Sequence, residues 1–307
     1  MDTLEEKFKR KYTTALGHER AFVEFTGLKT LWFNTGTLCN ISCEGCYIES
    51  SPINNKLLYL NVNDVEKYLN QIKINNLPCN TIGITGGEPF MNKDIIPILN
   101  LCTKLNYHIL VLTNAMQPMI NKTKELIKFV NYNKLTLRVS LDHYNKDGHE
   151  SIRGKNTWDK ALEGINWLSR NNFNINIASR IINKNEKLVR QGFAKLFAEY
   201  NLKIDAYNKE DLVLFPEMNL CADTPEITKD CWDVLNNSPK NMMCSNSRMI
   251  VKRREDSKTH IVSCTLIPFE KDFSYGNNIK DSLKTVYLNH PFCSKFCVLG
   301  GASCSNN

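Results

Sequence analysis

Between about residues 28 and 218, short apolar, β-branched runs alternate six times with stretches whose apolar residues recur at one-face helical spacing. That alternation leaves few folds open. Leu31-Trp32-Phe33 reads as the first strand. The helix after it is expected to start at Asn63 as N-cap, with Glu66 in the capping-box place and Val65, Tyr68, Leu69 and Ile72 on one face. Thr81 to Thr85 is the second strand, and the helix over 93–105 tolerates Pro97 because that residue lies near the first turn. Strand His108 to Leu112, a helix over 122–130 and strand Leu135 to Leu141 follow. Next come a helix carrying Trp158, Ala161, Leu162, Ile165 and Leu168, strand Ile175 to Ile182, a helix over 186–200 and strand Leu212 to Phe215. Parallel βα units need right-handed crossovers. Six of them can curl into an α/β partial (βα)6 barrel, and an open doubly wound sheet is the alternative.

Parallel barrels carry their chemistry at the carboxyl ends of the strands, and the polar residues of this chain collect there. Cys39, Cys43 and Cys46, spaced C-x3-C-x2-C, follow the first strand. Three thiolates this close can surround one metal centre. Four-iron clusters normally take four cysteines, so three leave one iron open to a non-protein ligand. Zinc sites usually pair two C-x2-C knuckles, and no second knuckle stands nearby. Gly86-Gly87-Glu88-Pro89 ends the second strand, where glycines permit a sharp turn and close backbone approach and proline blocks further pairing. Thr113-Asn114 ends the third strand, Ser140 and Asp142 the fourth, Ser179 and Arg180 lie in the fifth, and Glu217 ends the sixth.

The cysteine triplet together with Gly86-Gly87-Glu88-Pro89, in this order and at this distance, resembles the radical S-adenosylmethionine (SAM) enzymes, over roughly residues 28 to 218. The resemblance implies that Cys39, Cys43 and Cys46 hold a catalytic 4Fe-4S cluster whose open iron binds SAM. It implies that Gly86, Gly87 and Glu88 meet the SAM amino group. Thr113, Ser140 and Arg180, with Arg153 as the alternative to Arg180, match by position the residues that contact the SAM ribose or carboxylate. His143, Tyr144 and Glu217 are candidates to face the substrate, with capping or surface roles as the plainer reading. One departure stands out: the aromatic residue that many members carry just before the third cysteine is Gly45 here, and Tyr47 comes just after it.

Beyond about residue 220 the alternation stops and cysteines crowd. Met249-Ile250-Val251 and Ile261-Val262 read as a hairpin turning near Asp256-Ser257, bracketed by Cys244 and Cys264. Cys293, Cys297 and Cys304 follow. The arrangement, with Gly276-Asn277-Asn278-Ile279 and Asp281-Ser282-Leu283 between, looks like the SPASM or shorter twitch extension of radical SAM enzymes. It implies one auxiliary iron–sulfur cluster on Cys244, Cys264, Cys293 and Cys297, with Cys304 the spare or a replacement and zinc the competing metal. Cys79, Cys102, Cys221 and Cys231 stand alone as small buried hydrophobes. The expected domains are an N-terminal helical segment over 1–27, a core over 28–218 and the extension over 219–307.

At 307 residues and 42% hydrophobic content the chain supports a real core. It has no apolar run long enough to cross a membrane and no signal-peptide pattern at its start. The expected compartment is the cytoplasm, where reduced cysteines favour metal over disulfides. A net charge of +7, from 39 basic and 32 acidic residues, is spread along the chain. Lys252-Arg253-Arg254 is followed at once by Glu255 and Asp256, so it reads as a solvated hairpin more readily than as a nucleic-acid site. The resemblance implies reductive cleavage of SAM to a 5′-deoxyadenosyl radical that takes hydrogen from a peptide or small molecule, with a flavodoxin or ferredoxin as reductant. A radical SAM enzyme modifying RNA is the second reading. A non-catalytic electron carrier is the third, and it has no use for Gly86 to Pro89.

Overall fold

A computed structural model describes residues 6–181, 185–216 and 223–301. Its frame is an eight-stranded sheet. The strands β2 (Thr30–Asn34), β3 (Thr81–Thr85), β4 (His108–Thr113), β5 (Leu135–Ser140), β6 (Asn174–Arg180) and β7 (Leu212–Phe215) lie side by side in chain order, all parallel. Helices Val62–Ile74, Ile95–Lys104, Trp158–Arg170 and Glu186–Glu199 make the main crossovers, giving the partial barrel.

Period two sorts the side chains of these strands into two layers. Leu31, Phe33, Ile82, Ile84, Ile109, Val111, Leu137 and Val139 share one core with Val65, Leu69, Ile98, Leu99, Leu162 and Ile165 of the helices. Each such side chain, fully buried, stabilises the fold by about 1.5–3 kcal/mol. The alternate residues Trp32, Leu110 and Leu112 turn the other way, into the lumen, with Met249, Val251 and Val262. Gly83 is the Cα partner of Trp32. A β-carbon at Gly83 would lie 2.3 Å from the indole, so the glycine makes room for that ring.

Several boundaries differ from expectation. The first crossover helix is capped at Asn61, whose side chain accepts from Asp64 N (2.9 Å) while Asp64 Oδ2 accepts from Asn61 N (3.0 Å). The same capping-box spacing occurs two residues earlier than Asn63 and Glu66, and the earlier start lets Val62 N–H donate to Asp94 (3.1 Å). Over 122–130 there is only a short helix, Thr123–Leu126, followed by a 3₁₀ turn, Ile127–Phe129. The stretch 7–27, expected to be helical, consists of turns, bridges and β1 (Phe22–Val23). Its folding is governed by Arg20, fully buried, which donates to the carbonyls of Arg10 (3.0 Å), Thr13 (2.8 Å) and Leu288 (3.4 Å) and pairs with Glu226 (2.5 Å).

The C-terminal hairpin forms as expected from β8 (Ser247–Lys252) and β9 (Thr259–Val262), antiparallel to each other. It does not stand apart from the core, because β8 pairs parallel with β2 and covers that edge of the barrel sheet. A second tie joins β1 to β10 (Val286–Tyr287), antiparallel.

Candidate active site

The segment that follows β2 is strapped to the turn that follows β3. Thr35 N–H donates to Thr85 O (2.7 Å), Gly87 N–H to Gly36 O (2.7 Å) and Glu88 N–H to Leu38 O (3.1 Å). The two glycines are what permit this approach. Gly86 sits at φ +150°, and a β-carbon there would lie 2.7 Å from Gly36 O. At Gly87 it would lie 2.2 Å from Leu38 O. Cys39 N–H in turn donates to Ser51 O (3.1 Å) and Glu44 N–H to Ile152 O (2.8 Å), so the cysteine loop is held at both shoulders.

Above the strand ends lies a cavity of about 210 Å³. Cys39, Cys43 and Cys46 form one side of it with Gly86 and Gly87, and Thr113, Asn114, Ser140, Asp142, Arg153 and Arg180 continue the polar wall. Ile48, Phe215, Pro216, Met243, Leu266, Phe296 and Cys297 make an apolar wall opposite in character. Cys39 is buried and its two companions half-buried. Burial pushes the Cys39 thiol up to about 12, with Glu88 and Cys43 adding to the shift. Burial also raises Cys43, against the Arg153 guanidinium. A metal centre would displace those protons, since thiolates are the ligands, and Arg153 is the cation positioned to offset their charge. Three reduced thiols on one cavity wall, with open space before them and a glycine turn alongside, fit a cluster that keeps one iron for another ligand. Among the described residues no three His, Cys, Asp or Glu side chains converge on a single-ion site.

Asp142 carries the charge network of the polar wall. Its carboxylate accepts from Arg153 Nε (2.7 Å) and lies 3.5 Å from Arg180 Nε, while Arg180 also donates to Glu44 O (3.2 Å). Both arginines weighed from the sequence therefore line the cavity, and Arg153 reaches it from the helix Lys146–Arg153, which sequence reading left out. Glu88 is placed differently from the expectation. It is fully buried, and its carboxylate accepts from Thr113 Oγ1 (2.8 Å), Asn114 N (2.8 Å) and Phe90 N (3.0 Å). Burial raises its pKa to about 6, against those three hydrogen bonds. Glu88 braces the end of β4, and only Gly86 and Gly87 of the motif face the cavity.

His143 and Tyr144 do not line the cavity. His143 Nδ1 accepts from Asn145 N (3.0 Å), and the two rings pack on each other at 4.2 Å. Glu217, Cys221 and Cys304 lie outside the described residues. Sequence reasoning missed Arg138, buried under the cavity with Nε on Asn176 Oδ1 (3.1 Å), although its signal was legible: it sits two residues before Ser140, on the same inward face.

The extension's cysteines gather behind the apolar wall. Cys244, Cys264 and Cys297 share one apolar cluster with Tyr47, Met243, Leu266 and Phe296. Cys293, with Cys244 and Cys297, packs in an adjoining one that also takes in Cys231, a cysteine isolated in the sequence. Burial raises the Cys293 thiol well above its ordinary value, and the nearness of Cys264 and Cys244 adds to it. Arg248 organises this region from β8. Its buried guanidinium donates to the carbonyls of Cys244 (2.6 Å), Ser247 (2.6 Å), Ser282 (2.7 Å) and Lys284 (2.9 Å) and packs 4.5 Å from the Phe25 ring.

A parallel partial barrel with a three-cysteine loop after its first strand and a glycine turn after its second defines an iron–sulfur class of enzyme. The sequence model of the Radical SAM superfamily matches residues 33–185. The chain belongs to that superfamily, whose members hold a 4Fe-4S cluster and SAM. The antilisterial bacteriocin subtilosin biosynthesis protein AlbA of Bacillus subtilis is 31% identical over 183 residues, covering 57% of this chain and 39% of AlbA. A probable GTP 3′,8-cyclase of Saccharolobus islandicus is 25% identical over 130 residues, 42% of this chain and 39% of the cyclase. The aligned segments thus span about two fifths of these curated relatives. Among solved structures, Streptococcus suis SuiB bound to S-adenosylmethionine superposes with a TM-score of 0.61 at 15% identity, covering 84% of this chain and 65% of SuiB. The structure of anSMEcpe with bound AdoMet gives 0.60 at 16% identity, covering 84% and 80%. Among the described residues no helix is long and apolar enough to cross a membrane.

Proposed function

We propose that this enzyme modifies a peptide by hydrogen abstraction, with Cys39, Cys43 and Cys46 holding the catalytic cluster and the C-terminal residues 219–307 forming an auxiliary-cluster domain. The observation that carries the reading is the single cavity lined both by the three loop cysteines and by Cys297 of the extension. When bound, the reduced cluster supplies the electron that cleaves SAM, whose deoxyadenosyl group then takes hydrogen from the substrate. The chain's own residues bind and orient. Gly86 and Gly87 offer backbone to the SAM amino group, and Arg153, with Arg180 beside it, takes the carboxylate. Ser140 and Thr113 stand at the strand ends for the ribose, although the Thr113 hydroxyl is already given to Glu88 (2.8 Å). Phe215, Pro216, Met243, Leu266 and Phe296 receive the substrate and keep water away from the reacting carbon.

The peptide class is supported by what the relatives' names say of them: AlbA belongs to bacteriocin biosynthesis, and SuiB has been solved with the precursor peptide SuiA. Cys244, Cys264, Cys293 and Cys297 are the proposed auxiliary ligands, Cys304 the spare, and a flavodoxin or ferredoxin the electron donor. Anaerobically reconstituted protein reduced with dithionite is expected to convert SAM to 5′-deoxyadenosine and methionine without substrate. The Cys39→Ala, Cys43→Ala, Cys46→Ala triple variant is expected to be inert while retaining a second cluster. Fully loaded wild type that releases no deoxyadenosine under any reductant overturns the reading.

A further inference from the structure

Asn114 joins the Gly-Gly-Glu turn to the cysteine loop. It is buried, and the orientation of its amide is fixed by a partner with only one possible role: Oδ1 accepts from the backbone N–H of Met116 (3.0 Å). The amide nitrogen therefore faces the other way, where Nδ2 donates to Asn40 Oδ1 (2.9 Å) and lies 3.9 Å from Cys39 Sγ. Its two hydrogens have two acceptors, one an oxygen and one a sulfur. The backbone N–H of the same residue donates to Glu88 Oε2 (2.8 Å). The buried carboxylate thus fixes the strand end that carries this amide to the cysteine. Asn40 Oδ1 also lies 3.9 Å from Cys39 Sγ and accepts from the thiol. That contact ends when the sulfur loses its proton to become a ligand, whereas the Asn114 contact strengthens, because an N–H facing a thiolate is charge-assisted.

Resting on the reading that Cys39, Cys43 and Cys46 hold the catalytic cluster, we infer that Asn114 is a positioning residue that raises the cluster's reduction potential through its amide hydrogen on Cys39. Hydrogen bonds to the ligating sulfurs are among the determinants of iron–sulfur potentials. Adding one electron makes the sulfurs more negative, so a donor aimed at one of them stabilises the reduced state more than the oxidised one. The site is shielded from water, which makes the effect larger than it would be at a surface.

The test is a potentiometric titration followed by electron paramagnetic resonance on Asn114→Leu and Asn114→Asp, each reconstituted anaerobically and counted for iron. The N-terminal cluster's signal is identified as the one that changes when SAM is added. Leucine removes the donor in a similar volume, and aspartate keeps the acceptor for Met116 N–H without a donor. Both midpoints are expected to move to more negative potential, by about tenfold in the reduced-to-oxidised ratio at fixed potential, which is 59 mV for one electron. Aspartate is expected to move further because it adds a negative charge. A fully loaded Asn114→Leu with the wild-type midpoint overturns the inference, as does a variant that only loses iron or broadens its signal without moving the midpoint. If leucine does not fold, aspartate at the wild-type midpoint overturns it instead. Wild type with no SAM-sensitive cluster at all refutes the proposed function, a separable outcome.

Discussion

Replacing Gly87 by alanine places a methyl group 2.2 Å from the carbonyl oxygen of Leu38, 2.6 Å from its carbonyl carbon and 2.8 Å from Thr37 O. Relaxed contact between such atoms is about 3.5 Å, so the overlap exceeds an ångström. All three obstacles are backbone, and no side-chain rotation relieves them. Gly87 is not among the positive-φ glycines, so its own conformation suits alanine and the whole penalty is steric. Overpacking of this kind costs about 1–3 kcal/mol. The segment that must retreat carries Cys39 one residue on.

Gly276 supplies the matched control. It sits at φ +71° with nothing within 4 Å of a built β-carbon, so alanine there costs only left-handed backbone strain, about 1–2 kcal/mol. The two variants are expected to lose comparable stability in urea unfolding and to differ sharply in function. A displacement of about 1 Å at a reacting constellation costs on the order of 10²-fold in rate. Gly87→Ala is therefore expected to release 5′-deoxyadenosine at about one hundredth of the wild-type rate, and Gly276→Ala within about twofold of it. A loaded Gly87→Ala that matches Gly276→Ala in rate would refute the argument that the glycine turn sets the position of the cysteine loop.

Two further outcomes are expected. His149 is fully buried against Trp158 with neither ring nitrogen hydrogen-bonded, and burial lowers its pKa to about 4 from 6.5. Between those values the unfolded chain binds the proton and the native chain does not, so stability is complete above about pH 6.5 and falls as pH drops toward 4. The loss approaches about 3 kcal/mol at 1.36 kcal/mol per unit. His149→Leu should remove that part of the pH slope in urea unfolding at pH 7.5 and pH 5, and an unchanged slope would contradict the assignment. Arg248→Met strips the donor from four carbonyls, at about 1–3 kcal/mol for each acceptor left dry. It should lower the iron content by one cluster and leave SAM cleavage intact; retention of all iron would show that Arg248 does not hold the extension's cysteines.

The barrel was legible because short apolar, β-branched strand runs alternate with stretches of one-face helical spacing, a pattern that needs no partner to be recognised. Leu212–Phe215 and Thr81–Thr85 fall where the sequence placed them. The helix Lys146–Arg153 escaped notice because it buries only His149 and carries no apolar stripe to betray it. Arg153 therefore entered the sequence reading with no element to position it. The pairing of β8 with β2 is a contact more than 200 residues apart in sequence, and neither strand's pattern distinguishes an edge partner from a free hairpin. Arg20 and Arg248 look like surface charges in a one-dimensional reading; their burial becomes intelligible only once the carbonyls they serve have been brought together.

The two walls of the cavity follow the same division. Strand-end residues on the polar wall lie at positions that parallel barrel geometry fixes in advance, so Thr113, Ser140 and Asp142 are found by counting along strands. Of the apolar wall, Met243, Leu266 and Phe296 come singly from two short helical turns and a loop of the C-terminal segment, and no periodicity links them. Tyr47 marks where the walls meet. It follows Cys46 directly, lines the cavity and packs in the apolar cluster that holds Cys244, Cys264 and Cys297. The aromatic ring whose place in the sequence departs from the family pattern is thus one of the residues through which the cysteine loop contacts the extension. A substrate entering this cavity meets a face of the C-terminal segment as soon as it approaches the N-terminal cysteines, so truncation of that segment is expected to open the reacting centre to water as well as remove its proposed second cluster.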